Sequence, residues 1–126
     1  IRDVLGAYAA PFIRRSTHRS SGWRNYCQLI ARVGTSRRWQ PIVGKYFDAT
    51  SEVFTAELEA LYPGTPPQKL HQGFYLMIGA MLLMCADTGR LVVMSGDHYT
   101  GSSPDEMVDE FLTFASSGFQ ALALLN

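Results

Sequence analysis

Three histidines, two cysteines and a short serine-rich segment are the residues best suited to chemistry, and none stands in a catalytic spacing. His18, His71 and His98 are far apart in sequence. No two are three or four residues apart, the spacing at which one helix offers two imidazoles to a metal. Asp97 precedes His98 in a polar loop, but adjacency along the chain does not orient a carboxylate on an imidazole. Ser16, Ser20 and Ser21 suit capping and solvent contact. There is no glycine-rich phosphate cradle, no nucleophile elbow and no pair of catalytic carboxylates. Cys27 and Cys85 each interrupt an apolar helical pattern without a paired spacing, which predicts buried free thiols and fits a reducing cytoplasm. The expectation is a non-enzymatic protein with neither cofactor nor metal. A small helical enzyme or carrier using His71 or the Asp97-His98 pair is a third-ranked alternative.

What the sequence offers instead is a lining. Trp23, Tyr26, Tyr46, Phe47, Phe54, Phe74, Met77, Ile78 and Met81 come from three consecutive helical patterns. Aromatic rings with soft methionines suit the wall of an adaptable apolar cavity, and each taken singly also suits plain core packing. Asn25, Gln28, Thr50 and His71 are the polar groups placed to orient a ligand.

Five helices must position these residues, and no strand pattern competes with them. The first covers about residues 2–14 with Val4, Leu5, Tyr8 and Phe12 at helical spacing, and Pro11 marks a kink or break. The second covers residues 22–33, with Gly34 placed as a left-handed cap. The third starts near Trp39 and carries one stripe of Trp39, Ile42, Val43, Tyr46, Phe47, Val53, Phe54, Leu58 and Leu61. The fourth begins with Thr65 as N-cap, Pro66 in the first turn and Gln68 closing a capping box. The fifth repeats the device with Ser103, Pro104 and Glu106. Between them, residues 91–94 are predicted to pack as the closing arm of a loop.

The fourth helix is the most unusual. Residues 70–86 contain no Lys, Arg, Asp or Glu, and a helix apolar nearly all round must be covered on two sides. At 100° per residue one face holds Leu70, Phe74, Met77, Ile78, Met81, Met84 and Cys85. The opposite face holds Leu76, Gly79, Ala80, Leu83 and Ala86, at the three-four steps of a helix–helix seam. The last helix splits likewise. Val108, Phe111, Leu112, Ala115, Phe119 and Leu122 form its broad face, and Met107, Phe114, Gly118, Ala121 and Leu125 a flanking strip. Two such helices are what two subunits need to build a four-helix seam, so a homodimer is expected.

Composition sets the outer limits. With 126 residues, 47% hydrophobic and 17% charged, the chain is sized for one folded domain. The charge-free stretch is too short to span a bilayer, and Arg14 and Arg15 follow rather than precede the first apolar run, the wrong order for a signal peptide. The net charge of zero conceals +8 in residues 1–45 and −8 in residues 46–126. Such segregation suits an anionic partner, or two halves lying against each other.

Gly22-Trp23-Arg24-Asn25-Tyr26, Tyr46-Phe47-Asp48, the run from Phe74 to Ala80, Ala86-Asp87-Thr88-Gly89-Arg90 and the closing Phe111-Leu112 and Phe114 occur in an order and spacing that resemble the regulatory domain of TetR-type transcriptional repressors. The resemblance covers about residues 20–125. It implies an all-α, five-helix effector-binding and dimerisation domain, residues 1–126, whose last two helices form a four-helix bundle with the dimer partner. It also implies a helix-turn-helix domain, absent from this sequence, through which alone operator DNA would be bound. The effector is expected to be small and hydrophobic or aromatic. Trp23, Tyr26, Phe47, Phe74 and Met77 would serve as walls, with Asn25 and His71 as polar handles. The alternative is an all-helical dimeric interaction module with no small-molecule ligand.

Overall fold

A computed structural model describes residues 1–125. Its helices are α1 (Arg2–Ser16), α2 (Ser21–Gly34), α3 (Gln40–Leu61), α4 (Pro67–Cys85), α5 (Arg90–Met94) and α6 (Pro104–Leu124), with a 3-10 turn at Arg37–Trp39 leading into α3. The all-α architecture matches the expectation, but the described residues form six helices rather than five. The extra one is α5: Gly89, at φ 71°, stands between it and α4, and Arg90–Met94 then winds into little more than one turn, exposed rather than packed as the closing arm of a loop. Among the described residues there is no strand, and no helix is long and apolar enough to cross a membrane.

The core forms around α1, which packs against α6, α2, α3 and α4. Leu5, Ala9 and Ile13 are fully buried at four-residue steps, and the small residues Ala9 and Ala10 let neighbouring helices approach closely. Pro11 does not break α1, which runs on to Ser16. An interior proline costs about 3 kcal/mol, but Leu5 and Ile13, buried on either side of it, hold both halves against the same core.

Two predicted caps are corrected. Gly34 lies inside α2 and not in a left-handed cap, since Thr35 ends the helix at φ −103°. Its lack of a side chain serves packing instead: a Cβ there would stand 2.9 Å from Leu82 Cδ1 on α4. Thr65 does not cap α4. The helix begins one residue later, with Pro66 at the cap position and no side-chain cap bond. Pro67 removes one of the two N–H groups that a Thr65 capping hydroxyl would satisfy, and Lys69 N–H and Leu70 N–H donate to the Pro66 carbonyl. At α6 the predicted box forms in full. Ser103 Oγ accepts from Glu106 N–H at 3.2 Å, and Ser103 N–H donates to Glu106 Oε2 at 2.7 Å. Those bonds hold the Glu106 carboxyl below its ordinary pKa.

The long stripe on α3 divides in two. Leu58 is buried and Phe47 and Phe54 half-buried toward the core, whereas Trp39, Ile42, Tyr46 and Val53 are exposed. At 100° per residue the exposed set is turned by about 110° from the buried one, an arc wider than one neighbour can cover.

Candidate functional site

On α4 the two predicted faces separate as the wheel implies. Leu70, Phe74, Met77, Met81 and Cys85 are buried, with Ile78 and Met84 half-buried against the core. Leu82, assigned to neither face in the sequence, is buried as well. On the other side Leu76 is 59% and Leu83 69% exposed; Gly79 is exposed and Ala80 half-buried. On α6, Val108, Phe111, Leu112, Ala115 and Phe119 are buried. Phe114 is 74% exposed, and Gly118, Ala121 and Leu125 are exposed beside half-buried Met107.

The two strips meet. At Gly73 an added Cβ would stand 2.9 Å from both Phe119 and Leu122, so glycine there brings α4 and α6 together. Gly79 and Gly118 differ: a Cβ at either would meet nothing within 4 Å. Between the helices runs a groove of about 420 Å³ whose wall includes Leu76, Met77, Ala80, Phe114, Gly118 and Phe119. It continues past Phe114 and Gly118 onto the outer side of α6, beside Asp109, Glu110 and Thr113. The surface is apolar, furrowed and uncharged along its centre, the composition of an interface core.

The aromatic lining is gathered only in part. Phe74 meets Tyr8 with ring centroids 5.0 Å apart at 67°, and Tyr8 meets Phe54 at 5.0 Å and 78°. Both are edge-to-face contacts that fill the junction of α1, α3 and α4. Met77 lies buried in the same core, and Phe47 is half-buried on α3. Tyr8 is the member the lining list lacked. Burial pushes its hydroxyl pKa up while the Ser51 side chain acts against part of that rise, so the apolar junction contains one polar tip. Trp23 and Tyr26 pack on each other at 6.0 Å and 86°, with the Arg15 guanidinium 4.6 Å over the Trp23 ring, and both remain substantially exposed. Asn25 is exposed on α2. His71 is also exposed, its Nε2 standing 3.1 Å from Glu59 Oε1 where it ties α4 to α3. His98 Nδ1 lies 2.8 Å from the Ser95 carbonyl in its own loop.

The thiols have no route to reactivity through ionisation. Cys27 Sγ donates to the Phe12 carbonyl at 3.7 Å. Burial pushes the Cys85 thiol up to about 11, a nearby Ser16 hydroxyl acting against it and Cys27 reinforcing it. At pH 8 about one Cys85 in a thousand is then a thiolate, and the thiolate is the nucleophile. Ellman's reagent at pH 8 is expected to leave both cysteines unmodified in the native protein and to titrate two after unfolding in guanidinium. The unfolded thiol loses its proton at lower pH than the folded one. Stability is therefore expected to fall as pH rises from about 9 toward 11.

These features define an all-α domain in which α4 and α6 each present one side to the core and leave another open. A family model described as Tetracyclin repressor-like, C-terminal domain, matches residues 6–118. The chain belongs to that family and is a TetR-family regulatory domain of transcription control. A comparison with curated proteins finds no match.

Proposed function

We propose that this chain is the effector-binding and dimerisation part of a TetR-type transcriptional repressor acting in the cytoplasm. The observation that carries the reading is the open apolar surface of α4 and α6, where Leu76, Leu83 and Phe114 have no cover. A second copy of the same pair of helices, related by a two-fold axis, covers it with like residues. The operator is then read by a helix-turn-helix domain outside this sequence, and the regulatory domain sets the spacing of two such domains.

A small hydrophobic or aromatic effector would act at the junction of Tyr8, Phe54, Phe74 and Met77, with Phe47 beside it. Trp23, Tyr26 and Asn25 on α2 and His71 on α4 stand at the surface, outside that junction. Because the junction is filled by edge-to-face rings, an effector must displace at least one of them, so it binds a rearranged conformation. That differential affinity is the physical requirement of a switch, with coupling of about 1–3 kcal/mol. Thermal denaturation against a panel of hydrophobic and aromatic compounds tests this. At least one is expected to raise the midpoint in the native chain and to lose that effect in Tyr8→Ala.

The tight aromatic packing also favours a second reading, a dimeric interaction module with no small-molecule ligand. A dimer whose midpoint no compound moves would replace the first reading with it.

A further inference from the structure

A second uncovered face lies on the outer side of α3. Ile42, Tyr46, Ala49, Val53 and Ala56 of α3, with Trp39 at the end of the 3-10 turn before it, follow one another at steps of three and four residues, the spacing of a helix–helix seam. All six are exposed, Tyr46 at 65% and Val53 at 61%. We propose that this seam is a second association surface, separate from α4 and α6, and that its occupant is α3 of another copy in antiparallel two-fold register.

Side-chain size argues for the direction. In antiparallel packing, alternate seam positions face each other, so that Trp39 meets Ala56, Ile42 meets Val53 and Tyr46 meets Ala49. Each large ring opposes a methyl group, and the two branched aliphatic residues oppose each other. Parallel pairing sets Trp39 on Trp39, Tyr46 on Tyr46 and Ala49 on Ala49, alternately overfilled and empty.

Charge argues for the same direction and for the identity of the partner. Arg38, Lys45, Glu52 and Glu59 occur at seven-residue steps along one flank of the seam. The antiparallel register brings Lys45 against Glu52 and Arg38 against Glu59, each twice by symmetry; the parallel one turns this flank toward Val43, Thr50 and Glu57 of the other copy and gives none of the four an opposite charge. Within the described residues Arg38, Lys45 and Glu52 form no ion pair. The Arg38 and Lys45 groups lie instead over the rings of Trp39 at 4.9 Å and Tyr46 at 5.4 Å. A uniformly acidic partner satisfies one end of this flank and is repelled by the other. A helix basic at its start and acidic at its end, laid in reverse, satisfies both, and α3 is such a helix.

Sedimentation equilibrium separates this surface from the one on α4 and α6. The Leu83→Glu chain, or Gly79→Glu should the first not fold by far-UV circular dichroism, is expected to remain dimeric at high micromolar concentration. Adding Tyr46→Glu makes it monomeric. In the same background Lys45→Glu weakens association by about tenfold, and Lys45→Glu with Glu52→Lys restores it, because the swapped charges again meet their opposites. A monomeric Leu83→Glu chain at all concentrations overturns the proposal, as does a Lys45→Glu defect that Glu52→Lys leaves in place, the result a foreign partner gives. Mass lost on Tyr46→Glu but not on Leu83→Glu supports the α3 seam while removing the α4–α6 reading.

Discussion

Leu83→Glu is expected to halve the mass of the assembly in solution while leaving the fold of each chain intact. Leu83 is mostly exposed in the single chain, and glutamate is nearly as good a helix former as leucine. An exposed substitution of this kind shifts stability by only about 0.5 kcal/mol in either direction. The cost arises on association, when two carboxylates related by symmetry are desolvated on an apolar strip beside Leu76 and Phe114. An unpartnered buried charge costs several kcal/mol, which corresponds to a loss of affinity of about a hundredfold or more. Light scattering at tens of micromolar reads the change directly. Leu29→Glu, which places the same charge on an exposed leucine of α2, is the control and is expected to leave the mass unaltered. An unchanged mass in Leu83→Glu would remove α4 and α6 as the interface.

Phe74→Ala is expected to have the largest effect on the fold itself. The ring is buried and meets Tyr8 edge-on, and truncating a buried phenylalanine costs about 3–5 kcal/mol through lost transfer energy and the cavity left behind. A domain of this size holds only about 5–15 kcal/mol in total. The thermal midpoint should therefore fall by about 10–20 °C. Phe74→Leu, which keeps most of the volume, should lose less than half as much. The alanine variant also probes the junction as a binding place, because a dry apolar void of ring size accepts a small aromatic. Benzene or indole is expected to recover part of the lost midpoint in Phe74→Ala and to do nothing for the native chain. A drop of only a degree or two would mean that the junction contributes little to the core.

These predictions rest on features that the sequence reveals unequally. The division of α4 is legible because its 19 residues contain one buried stripe and a separate small-residue strip, and the helical period alone sorts them. The capping box at Ser103 is legible because its donors and acceptors are three residues apart. The position of Gly34 is not, because its reason lies on another helix: the same glycine that could adopt a left-handed cap is needed where Leu82 closes on α2. Tyr8 has an equally non-local role. Its partners Phe54 and Phe74 are 46 and 66 residues away, and nothing in the pattern of α1 distinguishes a ring that packs on both from one that packs on either. Trp23 and Tyr26 show the reverse error. Their type and spacing suit a lining, but they stand at the start of α2, with the Arg15 guanidinium over the Trp23 ring and without the packing that buries Phe74.

Two arginines tie α1 to α6 near the ends of α1. Arg2 pairs with the Asp109 carboxylate and donates to the Asp109 carbonyl at 3.4 Å and the Thr113 hydroxyl at 3.1 Å, and Arg14 reaches Asp105 at 3.2 Å. All of these contacts are at the surface, where salt screens them. Leu5, Ala9 and Ile13 supply adhesion, which is indifferent to small sliding along the axis; the arginines are directional and behave as the marks on a vernier. Added salt should therefore blur where the two rods sit along each other long before it parts them.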